Sequence, residues 1–97
     1  MNKRGKPGLA ILISGRGSNM QAFIDACASG ELDADINVVI SNNPDAAGLQ
    51  RAEEAGIATC CINHRDYPNR EAFDQALVDC LANYPVELVI LAGFMRI

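Results

Sequence analysis

The sequence predicts an α/β domain with a parallel sheet, and three observations lead to this prediction. Apolar runs of strand length alternate with segments whose apolar residues recur at helical spacing. The apolar runs are continuous, which is typical of strands buried on both faces. Short connections join these segments in the order βαβαβαβ. Such an alternation places helices on both faces of a parallel sheet.

The first strand and the first helix are joined by a glycine-rich turn. Residues 9–13 are all apolar, and Ser14 and Gly15 follow them. An apolar stripe then predicts a helix that ends near Gly30. The members of this stripe are Met20, Phe23, Ile24 and Cys27. The turn therefore lies at the carboxyl end of a buried strand.

The second strand and helix are separated by a polar segment. Residues 36–40 predict a buried strand, which ends at Ser41. Asn43 is expected to cap the second helix, with Pro44 at its first position. We expect this helix to stop near Gly56.

The third unit carries the most regular helical pattern. Residues 57–62 predict the third strand, and Asn69 is expected to cap the third helix. The apolar stripe of that helix consists of Phe73, Ala76, Leu77, Cys80, Leu81 and Tyr84. Pro85 should end it, and residues 86–92 predict the fourth strand.

Composition and charge exclude several classes of protein. The formal net charge of −4 over 97 residues argues against nucleic acid as a partner. No apolar run approaches the roughly 20 residues that cross a membrane. Because no apolar segment follows the basic residues at the start, we expect no secretory signal. The cysteines lack the spacing of a metal site, so we expect reduced thiols in the core and a cytoplasmic protein. They are Cys27, Cys60, Cys61 and Cys80.

The expected topology locates a ligand site. In a Rossmann-like strand order of 3-2-1-4, ligands bind between strands 1 and 4, where the chain reverses direction. Residues 14–19 and 93–97 line that point. No following element covers the outer edge of the fourth strand, and a bare apolar edge is prone to aggregation. We therefore expect a chain truncated after strand 4.

The glycine-rich turn at residues 14–19 suits a phosphate group. Its glycines permit close backbone approach, and amides at a helix start attract an anion. Ser18 and Asn19 could bind phosphate oxygens or could cap the helix. Met20 replaces the third glycine of a dinucleotide fingerprint, and no Walker lysine follows. A phosphate site and an ordinary strand–helix turn both remain open.

Three further features could form parts of a site. Met95 and Ile97 could line an apolar pocket and Arg96 could meet a carboxylate, or this loop packs on other sequence. Arg70 opens a helix whose dipole disfavours a cation, which indicates either an outside anion or a solvated side chain. His64 lies about 10 Å from the turn, and we expect a loop histidine without a catalytic role. These residues form no nucleophile–base set.

Several segments resemble the phosphoribosylglycinamide formyltransferase family. The strongest are residues 13–19, Ile-Ser-Gly-Arg-Gly-Ser-Asn, and residues 91–97, Leu-Ala-Gly-Phe-Met-Arg-Ile. Residues 40–42, 55–57 and 69–74 also match in order. The resemblance implies a Rossmann-like formyltransferase fold. It also implies formyl transfer from 10-formyltetrahydrofolate to the amine of glycinamide ribonucleotide in purine synthesis.

The resemblance assigns roles to both predicted loops. The residues that would contact glycinamide ribonucleotide are Gly17, Ser18, Asn19, Gly93 and Met95. The residues that would contribute to the folate pocket are Arg70, Leu91, Met95, Arg96 and Ile97. The family needs no metal and acts on small molecules, and the resemblance allows a homodimer.

The catalytic residues of this family have no counterpart in the sequence. They are an Asn and a His in an Asn-x-His-Pro-Ser segment, and a later Asp. We therefore expect residues 1–97 to be the N-terminal phosphate-binding part of the domain, inactive alone. One alternative is another formyl-folate enzyme, such as formyltetrahydrofolate hydrolase or methionyl-tRNA formyltransferase. A second is a non-catalytic phosphate-binding α/β module.

Overall fold

A computed structural model describes residues 6–94, which form four strands and three α-helices. The strands are β1 (Gly8–Ile13), β2 (Asp35–Ser41), β3 (Thr59–Cys61) and β4 (Leu88–Leu91). The helices are α1 (Ser18–Ser29), α2 (Ala47–Glu54) and α3 (Arg70–Leu81), and a 3-10 turn spans His64–Asp66. The sheet is parallel with the order β3-β2-β1-β4, as predicted. None of the helices in the described range is long and apolar enough to cross a membrane.

The core is centred on β1, whose six residues are all buried. Alternate residues of a strand point to opposite faces of its sheet. Ile11 and Ile13 belong to a cluster that α1 and α2 cover, whereas Ala10 and Leu12 belong to one that α3 covers. Each large apolar side chain buried in this way contributes about 1.5–3 kcal/mol, so β1 anchors the turn that follows it in the core.

Two of the predicted helix boundaries are confirmed. Gly30 is the C-cap of α1 and has a left-handed backbone, with φ at 88°. The Asn69 side chain caps α3, because its Oδ1 accepts a hydrogen bond from the Ala72 amide at 2.8 Å. In both cases a local property of one residue decides the boundary.

The start of the second helix differs from the prediction. α2 begins at Ala47, and its N-cap is Ala46 rather than Asn43. Asn43 forms a separate turn, in which its Oδ1 accepts from the Asp45 amide at 3.0 Å and its carbonyl accepts from the Ala46 amide at 3.1 Å. Asparagine side chains favour such turns as well as helix caps, and the local sequence does not distinguish the two.

The outer edge of β4 is open and apolar. Within residues 6–94, β4 pairs only with β1. Leu88, Val89 and Leu91 are 56%, 39% and 65% exposed. The bare edge that the sequence predicted is therefore present in the described structure.

The four cysteines are free thiols, and three of them are partly buried. Cys60 and Cys80 pack against the cluster beneath α3. Cys61 is exposed, so the expectation of a core position is wrong for this residue. Neighbouring strand residues point to opposite faces, and β3 is an edge strand whose second face is incompletely covered at Cys61.

Candidate functional site

The glycine-rich turn after β1 leads directly into the N-terminus of α1. Gly17 is the N-cap and has a left-handed backbone, with φ at 77°. Its carbonyl accepts a hydrogen bond from the Gln21 amide at 2.8 Å, so the helix is regular from its first turn. The amides of that first turn have no carbonyl partner within the helix, and the helix dipole is positive there. This end of α1 can therefore bind an anion.

The side chains of Ser18 and Asn19 do not cap the helix. Both residues lie inside α1, and its N-cap position has no side-chain hydrogen bond. The capping alternative is therefore wrong. Both residues are exposed at the helix start, beside the open amides.

The start of α2 packs against the turn. The Gly48 amide donates a hydrogen bond to the Gly15 carbonyl at 3.0 Å. A Cβ placed on Gly48 would overlap the Ile13 Cδ1 atom and would lie 3.1 Å from the Gly17 Cα. Gly48 is not among the predicted site residues, although a glycine one residue into a helix is unfavourable and therefore indicates a close contact.

A hydrogen-bonded chain joins the ends of β1, β2 and β3. The Ser14 Oγ donates to the Asn42 Oδ1 at 2.8 Å, and the Asn43 Nδ2 donates to the Ser14 carbonyl at 3.4 Å. Asn42 is only 4% exposed. The His64 Nδ1 lies 3.2 Å from the Asn42 carbonyl. A carbonyl only accepts, so Nδ1 carries the proton in this bond.

These hydrogen bonds differ from the prediction, in which His64 lies two strand spacings from the turn. The histidine contacts the β2 end, one strand from β1, and it reaches the turn through Asn42 and Ser14. The signal in the sequence was the run of polar residues directly after β2, because the carboxyl ends of parallel strands share one edge.

The end of β4 lies at the same edge as the turn. Leu91 pairs with Leu12, and the Ala92 amide donates to the Leu12 carbonyl at 2.9 Å. Gly93 follows with φ at 80° and is exposed. The loops after β1 and β4 therefore face each other across the predicted switch point.

The loop after β4 also contacts α3. Phe94 stacks on Phe73 with ring centroids 6.5 Å apart, and Phe73 meets Tyr67 edge-on at 6.0 Å. Arg70 is the first residue of α3, one turn before Phe73, and its side chain is exposed. These aromatic contacts bring the start of α3 toward the β4 end. Three predicted site residues, Met95, Arg96 and Ile97, lie outside the described residues.

The described residues offer few other metal-binding or reactive groups. No group of three or more side chains that could hold a metal ion is present in residues 6–94. The Nδ1 atom of His64, the single histidine, is hydrogen-bonded to the Asn42 carbonyl. The arrangement can therefore bind an anion at the N-terminus of α1. A ligand bound there can extend along the sheet edge either toward β4 or toward β2 and β3.

Comparison with known proteins gives consistent matches. Residues 8–97 match the formyl transferase family. The chain is 46% identical over 89 residues to phosphoribosylglycinamide formyltransferase of Escherichia coli K12, covering 92% of this chain and 42% of that protein. It is 50% identical over 92 residues to the human trifunctional purine biosynthetic protein adenosine-3, covering 95% of this chain and 9% of that protein.

A solved structure gives the same result. Glycinamide ribonucleotide transformylase 1 from Symbiobacterium toebii superposes with a TM-score of 0.91 at 44% identity, covering 95% of this chain and 43% of that one. The chain thus spans less than half the length of these relatives. The family resemblance and the fold that the sequence motifs predicted are confirmed.

Proposed function

Because the chain belongs to the formyl transferase family, we propose that residues 1–97 supply the N-terminal, phosphate-binding part of a glycinamide ribonucleotide formyltransferase. The observation that carries this proposal is the left-handed Gly17 at the start of α1, which opens the first-turn amides at the edge where β4 ends. The relatives with 46% and 50% identity are a phosphoribosylglycinamide formyltransferase and a trifunctional purine biosynthetic protein.

The substrate phosphate occupies the N-terminus of α1 in this proposal. The backbone at Gly17 approaches the phosphate closely, and the exposed Ser18 and Asn19 add side-chain donors. Gly93 then approaches the remainder of glycinamide ribonucleotide from the β4 side, and Met95 is the other residue that we propose to contact it. Gly93 lacks a side chain and has a left-handed backbone, which leaves room for a ligand.

The cosubstrate, 10-formyltetrahydrofolate, lies along the end of β4 and the start of α3. Arg70 has an exposed guanidinium there, and a folate carboxylate would offset its unfavourable position at a helix N-terminus. Leu91 supplies an apolar contact, since it is 65% exposed at the end of β4. The other residues assigned to the folate pocket are Met95, Arg96 and Ile97.

The reaction forms one bond and breaks one. The substrate amine attacks the formyl carbon, the bond from that carbon to folate N10 breaks, and the proton lost by the amine is balanced by one gained at N10. This chemistry needs a base and a donor for the tetrahedral oxyanion. Residues 6–94 place no such pair beside the turn, so we propose that the chain binds both small molecules but does not turn over alone.

We further propose a cytoplasmic protein that uses no metal, binds neither nucleic acid nor membrane, and could form a homodimer.

A titration of the isotope-labelled 97-residue chain with glycinamide ribonucleotide tests the proposal. We expect amide shifts at Gly17, Ser18 and Asn19, and about tenfold weaker binding in Ser18→Ala. Gln21→Ala, one turn further along α1, is the control and should bind normally. Binding of formyl-folate without glycinamide ribonucleotide would favour a hydrolase, and phosphate binding without folate would favour a non-catalytic module. Formylation by the chain alone would contradict the proposal.

A further inference from the structure

A cavity lies beside the phosphate turn, on the side away from β4. Residues 42–45 and 63–65, at the carboxyl ends of β2 and β3, line a volume of about 260 Å³. Asn43 belongs to its wall and donates from Nδ2 to the Ser14 carbonyl at 3.4 Å. This wall of the cavity therefore contacts the first residue of the turn. The proposed function leaves this cavity unused, because the glycinamide and folate positions lie toward β4.

The polar groups of the cavity include donors, acceptors and both signs of charge. Asp45 and Arg65 carry opposite charges, and neither forms an ion pair with another residue of the range 6–94. The His64 Nδ1 is held by the Asn42 carbonyl, which leaves Nε2 as an acceptor when the ring is neutral.

Other lining groups complete this pattern. The Asn63 Oδ1 accepts from the Arg65 amide at 3.1 Å, so its Nδ2 is left as a donor. Pro44 adds an apolar ring. Since the two formal charges cancel, the lining does not suit a second phosphate. It suits a neutral heterocycle with donors and acceptors on its edge, together with a sugar hydroxyl.

The fold relates the cavity to the helix terminus. In dinucleotide-binding α/β sheets, the pyrophosphate sits at the N-terminus of the first helix, and an acidic or a basic side chain farther along the chain meets the ribose. Here Asp45, which follows β2, and Arg65, which follows β3, supply an acidic and a basic side chain in the cavity lining. We propose that the cavity holds the base and ribose of a nucleoside 5′-monophosphate whose phosphate occupies the N-terminus of α1. This inference rests on the phosphate site of the proposed function, and it makes such a nucleotide a competitor of glycinamide ribonucleotide.

The experiment compares three probes on the labelled 97-residue chain: adenosine 5′-monophosphate, ribose 5-phosphate and inorganic phosphate. All three should shift the amides of residues 17–19. Ribose 5-phosphate should also shift Asp45 and Arg65. Adenosine 5′-monophosphate should in addition shift Asn43, Asn63 and His64, and it should bind about tenfold more tightly than ribose 5-phosphate. It should also displace glycinamide ribonucleotide.

Substitutions in the cavity separate the nucleoside from the phosphate. Asp45→Asn and Arg65→Ala should lower the affinities for adenosine 5′-monophosphate and for ribose 5-phosphate, without changing the affinity for inorganic phosphate. Asp79→Asn, an exposed carboxylate on α3, is the matched control and should change none of the three. Equal affinities for adenosine 5′-monophosphate and ribose 5-phosphate, or shifts confined to residues 17–19, would overturn the inference. The proposed function would still stand in that case if glycinamide ribonucleotide binds.

Discussion

Gly17 and Gly48 meet backbone to backbone, so that a Cβ placed on Gly17 would lie 2.8 Å from the Gly48 Cα. This contact fixes the phosphate turn against the start of α2. The Gly48 amide reinforces it by donating to the Gly15 carbonyl at 3.0 Å. The turn is therefore held by contacts from another element as well as by its own conformation, and a rigid turn keeps its amides in place for a ligand.

We expect Gly17→Ala to lower the free energy of unfolding by about 3 kcal/mol, because it combines two costs. The position has φ at 77°, which an L-residue with a side chain adopts at a penalty, and the added Cβ meets the Gly48 backbone. Urea denaturation of the variant, followed by circular dichroism, measures the loss.

Substitutions at three other glycines separate the conformational cost from the packing cost. Gly30→Ala retains only the conformational penalty, since φ is 88° and no atom lies within 4 Å of the Cβ, and it should lose about 1 kcal/mol. Gly48→Ala tests packing without a positive φ. Gly15→Ala has neither cost and should change little. If Gly17→Ala lost no more than Gly30→Ala, the contact with α2 would contribute nothing.

The bond between Ser14 and Asn42 should be measurable as a coupling energy. The Ser14 Oγ donates to a side chain that is 4% exposed, so we expect a double-mutant cycle of Ser14→Ala and Asn42→Ala to give about 1 kcal/mol. The exposed pair Gln75 and Asp79, joined at 2.9 Å, should give less than about 0.5 kcal/mol. Equal couplings for the two pairs would show that burial does not strengthen the Ser14 bond.

The elements that the sequence predicted share a local cause. Gly30 ends a helix and Asn69 begins one through bonds and angles within a few residues. The strand order followed from buried apolar runs and the general behaviour of parallel sheets. Because the switch point depends only on that order, the edge that carries the turn was predictable as well.

The features that were missed depend on contacts between distant parts of the chain. Asn42 bonds Ser14 across 28 positions, and His64 bonds Asn42 across 22. Gly48 is required by the proximity of Gly17, which no local pattern encodes. Asn43 was predicted as a helix cap, but it forms a local turn with the Asp45 amide and also donates to the Ser14 carbonyl, 29 positions away.

Arg70 should affect folate binding without affecting stability. It is exposed at the first position of α3, where the helix dipole disfavours a cation. Arg70→Ala should therefore change the unfolding free energy by less than about 0.5 kcal/mol and weaken binding of 10-formyltetrahydrofolate about tenfold. Isothermal titration calorimetry measures the second effect. Arg65→Ala is the control and should bind the folate normally, whereas equal losses would indicate a non-specific charge effect.

The open edge of β4 should make the isolated chain self-associate. Leu88 is 56% exposed on an edge that pairs with nothing else in residues 6–94, and Leu88→Lys should suppress concentration-dependent association in sedimentation experiments. Val78 is 57% exposed but lies on α3, so Val78→Lys should leave association unchanged. A similar effect of both variants would point to general apolar contact rather than to strand pairing.

Cys80 should make the protein less stable at alkaline pH. Burial, together with a hydrogen bond and charge interaction with Cys60, raises the pKa of the Cys80 thiol from 9.0 to about 12. Between these two values the unfolded chain has lost the thiol proton while the folded chain retains it. The folded state then binds more protons, so its stability falls as the pH rises through this window. Urea midpoints measured across the window should fall less steeply in Cys80→Ser than in the parent chain. Cys61→Ser removes an exposed thiol and should flatten the dependence less, and equal slopes for parent and Cys80→Ser would contradict the prediction.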